Sequence, residues 1–142
     1  MRLNDFIKEG KVRKGEVDRE LCKALIETVK VDKKLLDSIK INEVSARRLM
    51  CDYYDLLRMI IEAIAAIDGI KSYSHEAFAY YLKENKKEEV IADKFDRFRK
   101  IRNNLSYYGK TISKEEASAN IKDIKQILQN LKKKYLKGVS NE

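Results

Sequence analysis

Apolar residues recur along this chain at intervals of three and four, the period of an amphipathic helix. The clearest stripe is the last: Ala117, Ile121, Ile124, Leu128, Leu131 and Tyr135. Ser113 and Glu116 have capping-box spacing just before it. The longest helix is expected over residues 43–68, with Met50, Tyr53, Tyr54, Leu57, Ile60, Ile61 and Ile64 on its main face. Leu56, Met59, Ala63 and Ala66 lie on the far side. A helix apolar around most of its circumference is buried on most sides, which in so small a chain points to a second packing surface such as a dimer interface. Asp18 can cap a helix carrying Leu21, Leu25, Ile26 and Val29, then Leu35, Leu36 and Ile39. Ser74 can cap another, with His75 in its first turn and Phe78, Tyr81 and Leu82 on one side. A short helix fits residues 1–9. Residues 10–15, 40–42 and 70–74 read as loops or turns, and 83–88 as a charged link. No strand-like alternation is present. The expected fold is all-α, an antiparallel up-and-down bundle of four to five main helices. It forms one domain over residues 1–138, with 139–142 a frayed tail.

One helix stands apart. Residues 93–110 read DKFDRFRKIRNNLSYYGK. At 100° per residue, Ile91, Phe95, Ile101 and Leu105 fall within ~60° of Phe98, and so does Arg102. A guanidinium cannot lose its proton, so on a core-facing stripe it needs a carboxylate, a phosphate or a wet crevice. Asp68, projecting along the main stripe of its own helix, is one candidate counter-ion. Gly109 is a natural C′ residue.

Composition narrows the partners. The chain is 44% hydrophobic and 38% charged, lacks proline, and carries a formal net charge of +8 with a pI of about 9.4. The charge is uneven: residues 93–110 hold six Lys/Arg against two Asp, and residues 130–142 four Lys against one Glu. Such a balance favours a polyanion, nucleic acid ahead of membrane, although a lysine-rich solvated surface is the simpler reading of charge alone. Cys22 and Cys51 form no CxxC pair and look like small buried hydrophobes of a reducing compartment. No apolar run is long enough to span a membrane and no signal peptide is evident, so a cytoplasmic protein is expected. No nucleotide-binding, zincin or serine-hydrolase motif occurs, and the lone histidine argues against a multi-histidine metal site. No cofactor is expected.

The run RNNLSYYG resembles the end of the signature helix of HEPN domains (higher eukaryotes and prokaryotes nucleotide-binding). That family's pattern is an arginine, a polar residue, and a histidine separated from the arginine by four to six residues. Arg102 and Asn103 match the first two elements; Tyr107, followed by Tyr108, stands at the histidine position. DGIKSYSHEAFAYYLKEN at 68–85 is similar to the segment before that helix in a largely archaeal subgroup, and DYYDLLRMIIEAI at 52–64 to its central helix. With ISKEEA after Gly109, the resemblance covers nearly the whole chain. It implies a helical bundle that commonly dimerises with two signature helices side by side. Many members are metal-independent ribonucleases whose arginine and histidine pairs form one composite site and use the RNA's own 2′-hydroxyl. Others only bind RNA, or act as toxins beside a minimal nucleotidyltransferase.

The departure falls on the decisive residue. Tyrosine has a reference pKa of ~10, so only ~0.1% is phenolate at pH 7. Losing a positioned acid or base costs ~10²–10⁴ in rate. In a continuous helix Tyr107 lies ~180° from Phe98, so it approaches Arg102 only if the helix unwinds near Ser106. Binding is therefore expected over cleavage, with Arg102, Asn103, Tyr107 and Tyr108 as the site and Arg97, Arg99, Lys100 and Lys110 as a phosphate track. The bland alternative makes Arg102 a buried ion-pair residue. His75 could supply the missing imidazole, although a structural hydrogen bond is its simpler role. Three functions follow: a homodimeric HEPN-like RNA-binding protein with weak or no metal-independent ribonuclease activity, a non-catalytic interaction module that pairs with a nucleotidyltransferase, or an active ribonuclease that uses His75 or a tyrosine.

Overall fold

The computed structural model describes residues 1–139. Six helices dominate it: α1 (Leu3–Lys8), α2 (Arg19–Asp37), α3 (Ala46–Ile67), α4 (His75–Asn85), α5 (Glu89–Tyr107) and α6 (Lys114–Tyr135). Two three-residue strands, β1 (Val12–Lys14) and β2 (Ile70–Ser72), pair antiparallel with Val12 opposite Ser72 and Lys14 opposite Ile70. Both strands fall where loops are expected from the sequence. Three residues are too few for alternation to register, yet Val12 and Ile70 bury their side chains and the ribbon ties the start of the chain to the end of α3.

Several helix ends follow the chemistry of their sequence. The Asp18 carboxylate accepts from the Leu21 N–H, and the Ser113 hydroxyl from the Glu116 N–H. Gly109 follows α5 with a left-handed φ of +65°, as a C′ glycine should. Others differ. α3 begins three residues later than its apolar pattern implies, because Asn42 Oδ1 accepts from the N–H groups of Val44 and Ser45 and folds the approach into a turn. Ser74 flanks α4 without capping it; its own N–H is taken by the Ser72 hydroxyl.

α3 is the hub. It packs against α2, α6, α5, α4 and β2. Of its 22 residues 14 are buried, including Tyr53, Tyr54 and Ile60. Both of its apolar faces are thus consumed within one chain, which removes the reason for expecting a dimer interface on α3. Each large apolar side chain buried there contributes ~1.5–3 kcal/mol, making α3 the main stabilising element. On α5, Ile91, Phe95, Phe98 and Leu105 are buried as the stripe predicts. On α2 the stripe drifts: Cys22, Ile26, Val29 and Leu36 are buried, whereas Leu35 and, just past the helix, Ile39 face solvent. Both cysteines are free and buried, and burial raises the Cys22 thiol pKa. Val139, expected to fray, packs partly against the core; the rest of the expected tail, 140–142, lies outside the described residues.

Candidate functional site

Arg102 lies near the C-terminal end of α5 with its side chain 18% exposed. Its counter-ion is Asp55 of α3, not Asp68. Nη2 lies 3.5 Å from Asp55 Oδ1, the long limit of a hydrogen bond. Asp68 is engaged elsewhere, accepting from the Tyr81 hydroxyl and pairing with Lys86 at 2.8 Å. The guanidinium carbon sits 5.6 Å from the Tyr54 ring centre and 5.7 Å from that of Tyr107, within cation–π range of both. Arg102 Nη1 also donates to the Tyr107 hydroxyl at 3.3 Å.

That last contact overturns an expectation. α5 stays helical through Tyr107, yet the two side chains meet. Helical side chains lean toward the N-terminus, so the long tyrosine swings back over the preceding turn and closes a gap that a helical wheel leaves open. Tyr107 and Tyr108 are 67% and 71% exposed. Tyr108 is the C-cap residue of α5, its N–H donating to the Asn104 carbonyl. Asn103 is half-buried beside Arg102.

Two further arginines face the same centre. Arg58, one turn beyond Tyr54 on α3, binds Glu62 at 2.8 Å. Arg99 grips Asp96 through two N–H groups at 3.0 and 2.9 Å. Among the three, Arg102 has the loosest acid partner. Its Nε and that of Arg58 are buried with no hydrogen-bond partner among the described residues. His75 belongs here as well: its Nδ1 lies 3.4 Å from the Tyr54 hydroxyl. Burial first, then the charges of Arg58, Arg102 and Arg99, lowers the imidazole pKa to about 4, so it is neutral at pH 7. Burial raises the Tyr54 hydroxyl pKa against the pull of the same arginines. The Asp55 carboxyl is likewise raised by burial, which outweighs the attraction of Arg102 and Arg58. The result is a cluster of three arginines, each with an acid partner, lined by aromatic rings and one uncharged histidine. It can donate to an anion; its imidazole is a poor proton carrier near neutral pH.

The expected phosphate track is split. Arg97 turns toward α6, donating to Asn120 at 3.3 Å, while Arg99 bends back onto Asp96 of its own helix, close enough for its charge to act on His75 and Tyr54. Arg99 and Lys100 share Asp96. Lys110 is exposed beyond the end of α5. These four therefore do not form one continuous row.

Sequence reasoning missed Tyr54, Asp55 and Arg58 as members of the site. The i,i+4 pair of Arg58 and Glu62 is visible in the chain. Nothing local marks Asp55, whose partner lies 47 residues away. A cavity of about 840 Å³ lies elsewhere, between α2 and α6. Among the described residues no group of three or more His, Cys, Asp or Glu is placed to hold a metal ion. No described helix is long and apolar enough to cross a membrane. No family model, curated protein or solved structure matches the chain.

Proposed function

We propose that this chain is an HEPN-like RNA-binding protein that holds a backbone phosphate at Arg102 and cleaves RNA weakly or not at all. One observation carries the reading: Arg102 keeps donor capacity in reserve. A guanidinium has five N–H donors. Two have partners here, at 3.3 and 3.5 Å, and the buried Nε has none. An unmet buried donor costs ~1–3 kcal/mol. A phosphate offers paired acceptor oxygens at the geometry a guanidinium fork prefers, and would replace a loose carboxylate contact with a stronger one. Exposed Tyr107 and Tyr108 supply ring faces for unstacked bases, with the half-buried Asn103 as a polar neighbour. The HEPN-like bundle arrangement and a homodimer that aligns two copies of α5 belong to this proposal. Weak cleavage follows from the missing imidazole: Tyr107 stands in its place, and His75 is neutral and turned toward Tyr54.

The test is binding of a single-stranded RNA at two salt concentrations by wild type, Arg102→Ala and Arg102→Lys. Arg102→Ala should weaken binding at least ~10-fold at low salt, with Arg102→Lys restoring part of it, because lysine keeps the charge but loses the fork. Affinity indifferent to both salt and substitution would refute the proposal.

A second reading, the interaction module paired with a nucleotidyltransferase, is favoured by one feature. Val31 and Leu35 on α2 and Ile39 just beyond it follow at intervals of four and are 57%, 63% and 42% exposed. Apolar side chains aligned this way on a helix mark a partner surface. Under this reading Leu35→Glu abolishes assembly measured by light scattering, without loss of helicity. A wild type that stays monomeric alone and with a co-expressed nucleotidyltransferase would rule it out.

A further inference from the structure

The cavity between α2 and α6 is lined by six lysines: Lys33, Lys122, Lys125, Lys132, Lys133 and Lys137. No acidic side chain lines it among the described residues. Asp37, at its margin, pairs with Lys33 at 2.8 Å and Lys125 at 3.0 Å, and the Tyr53 hydroxyl donates to the same carboxylate. For Lys122, Lys132 and Lys133 no acid lies within salt-bridge distance among the described residues. The contrast with Lys134 is informative. It projects from the other side of α6 and is tied to Glu88 at 2.7 Å. Asp37 is thus shared by two of the six lining lysines, and the trough keeps an excess of positive charge.

The helix dipole accounts for part of this pattern. Lysines in the last turn of α6 suit its C-terminal partial charge. That does not explain Lys122, two turns into α6, or Lys33 on a different helix. Like charges gathered in a concave site repel one another and raise the local potential, an arrangement that favours an anionic partner.

We propose that this trough is a second nucleic-acid surface, binding the phosphodiester backbone of a single strand without reading its sequence. Lys122, Lys125, Lys132 and Lys133 recur along one face of α6 over ~16 Å, about five steps at the ~3.4 Å rise of a stacked strand. Gln126 and Gln129 interleave them and offer neutral donors and acceptors to sugars or bases. The trough is concave, which suits a threaded strand, and presents no exposed large apolar side chain for insertion into a bilayer. It lies on a different side of the α3 hub from Arg102. Tyr53 of α3 faces the trough through Asp37, whereas Tyr54, Asp55 and Arg58 face Arg102. The trough and the Arg102 site can therefore fail separately.

The experiment compares wild type, the triple variant Lys122→Gln/Lys132→Gln/Lys133→Gln, Arg102→Ala, and the triple variant combined with Arg102→Ala. Each is titrated with a fluorescent single-stranded oligouridylate over a range of salt, and with phosphatidylserine vesicles in parallel. The substituted lysines are exposed or half-exposed surface residues, so the variant should fold with only a small change in thermal stability, set by the lost helix-dipole contacts of Lys132 and Lys133. The triple variant should lose at least ~10-fold in RNA affinity at low salt, and its salt slope should become shallower by about 2, at ~0.7 per lost phosphate contact. This loss persisting in the Arg102→Ala background supports the trough whatever becomes of the Arg102 site. A triple variant with wild-type affinity and slope overturns the trough while leaving the Arg102 reading standing. Binding to vesicles but not to RNA overturns it also.

Discussion

Gly69→Ala should be among the most damaging single substitutions in this protein, lowering stability by about 3 kcal/mol. Gly69 ends α3 with φ +73°, a conformation that costs a residue with a Cβ ~1–2 kcal/mol. The added methyl would also stand 2.4 Å from the backbone carbonyl oxygen of Gly15 and 3.3 Å from its carbon. That neighbour cannot rotate aside, because the Gly15 N–H donates to the Gly69 carbonyl at 2.7 Å. The same junction holds the Asp18 N–H on the Ala66 carbonyl at 2.9 Å, so relief of the clash would disturb the start of α2 as well as the ribbon. Gly10→Ala is the control. Gly10 has φ +76° but nothing within 4 Å of an added Cβ, so only the backbone cost of ~1–2 kcal/mol remains. Urea unfolding of the two variants checks the difference. Equal losses would show that the close approach of Gly15 carries no weight. In a chain of this size 3 kcal/mol corresponds to ~10 °C in melting temperature.

This junction also shows where sequence reasoning stops. Gly69 is legible as a helix terminator because a glycine follows a long apolar run. Its role as a backbone docking point is not, because Gly15 lies 54 residues away and leaves no local trace. The same division runs through the site. Arg102 stands out because a permanent cation on an apolar stripe conflicts with its neighbours, a signal contained in one helix. Asp55 does not stand out, because its relation to Arg102 arises only when α3 and α5 pack. Tyr107 escapes the helical wheel for a different reason: a wheel treats side chains as points and ignores their length and lean. The apolarity of α3 is legible in the sequence, but what covers it is not: α2, α4, α5 and α6 surround the hub within one chain. The lysine trough was half visible. The spacing of Lys122, Lys125, Lys132 and Lys133 marks one face of α6 in the sequence alone, but Lys33 joins it only through the fold.

Acidification from pH 7 to pH 4 should cost this protein about 2–3 kcal/mol through one residue, its only histidine. Burial, reinforced by Arg58, Arg102 and Arg99, moves the His75 pKa from 6.5 to about 4 in the folded chain. The unfolded chain therefore binds the proton first. Below pH ~6.5 it gains free energy that the native state does not, and stability falls until the folded imidazole also titrates near pH 4. At 1.36 kcal/mol per unit the full shift is worth a little over ~3 kcal/mol, and incomplete titration at pH 4 and the partial exposure of His75 lower it. Asp55 acts in the opposite direction, since its raised pKa lets the fold accept a proton more readily, and so offsets part of the loss toward pH 4. Asp37 acts below that window. Burial raises its pKa, but the contacts of Lys33, Tyr53 and Lys125 prevail and bring it to about 2, so its contribution disappears between pH ~4 and 2. Urea unfolding at pH 7.5 and 5 measures the slope, and His75→Gln should flatten it. An imidazole resonance titrating near 6.5, with equal stability at both pH values, would refute the assignment. The same resonance tests the functional proposal. A phosphate held at Arg102 would cancel part of the cationic field on His75 while leaving its burial in place. RNA should therefore raise the His75 pKa in wild type, and this rise should be lost in Arg102→Ala.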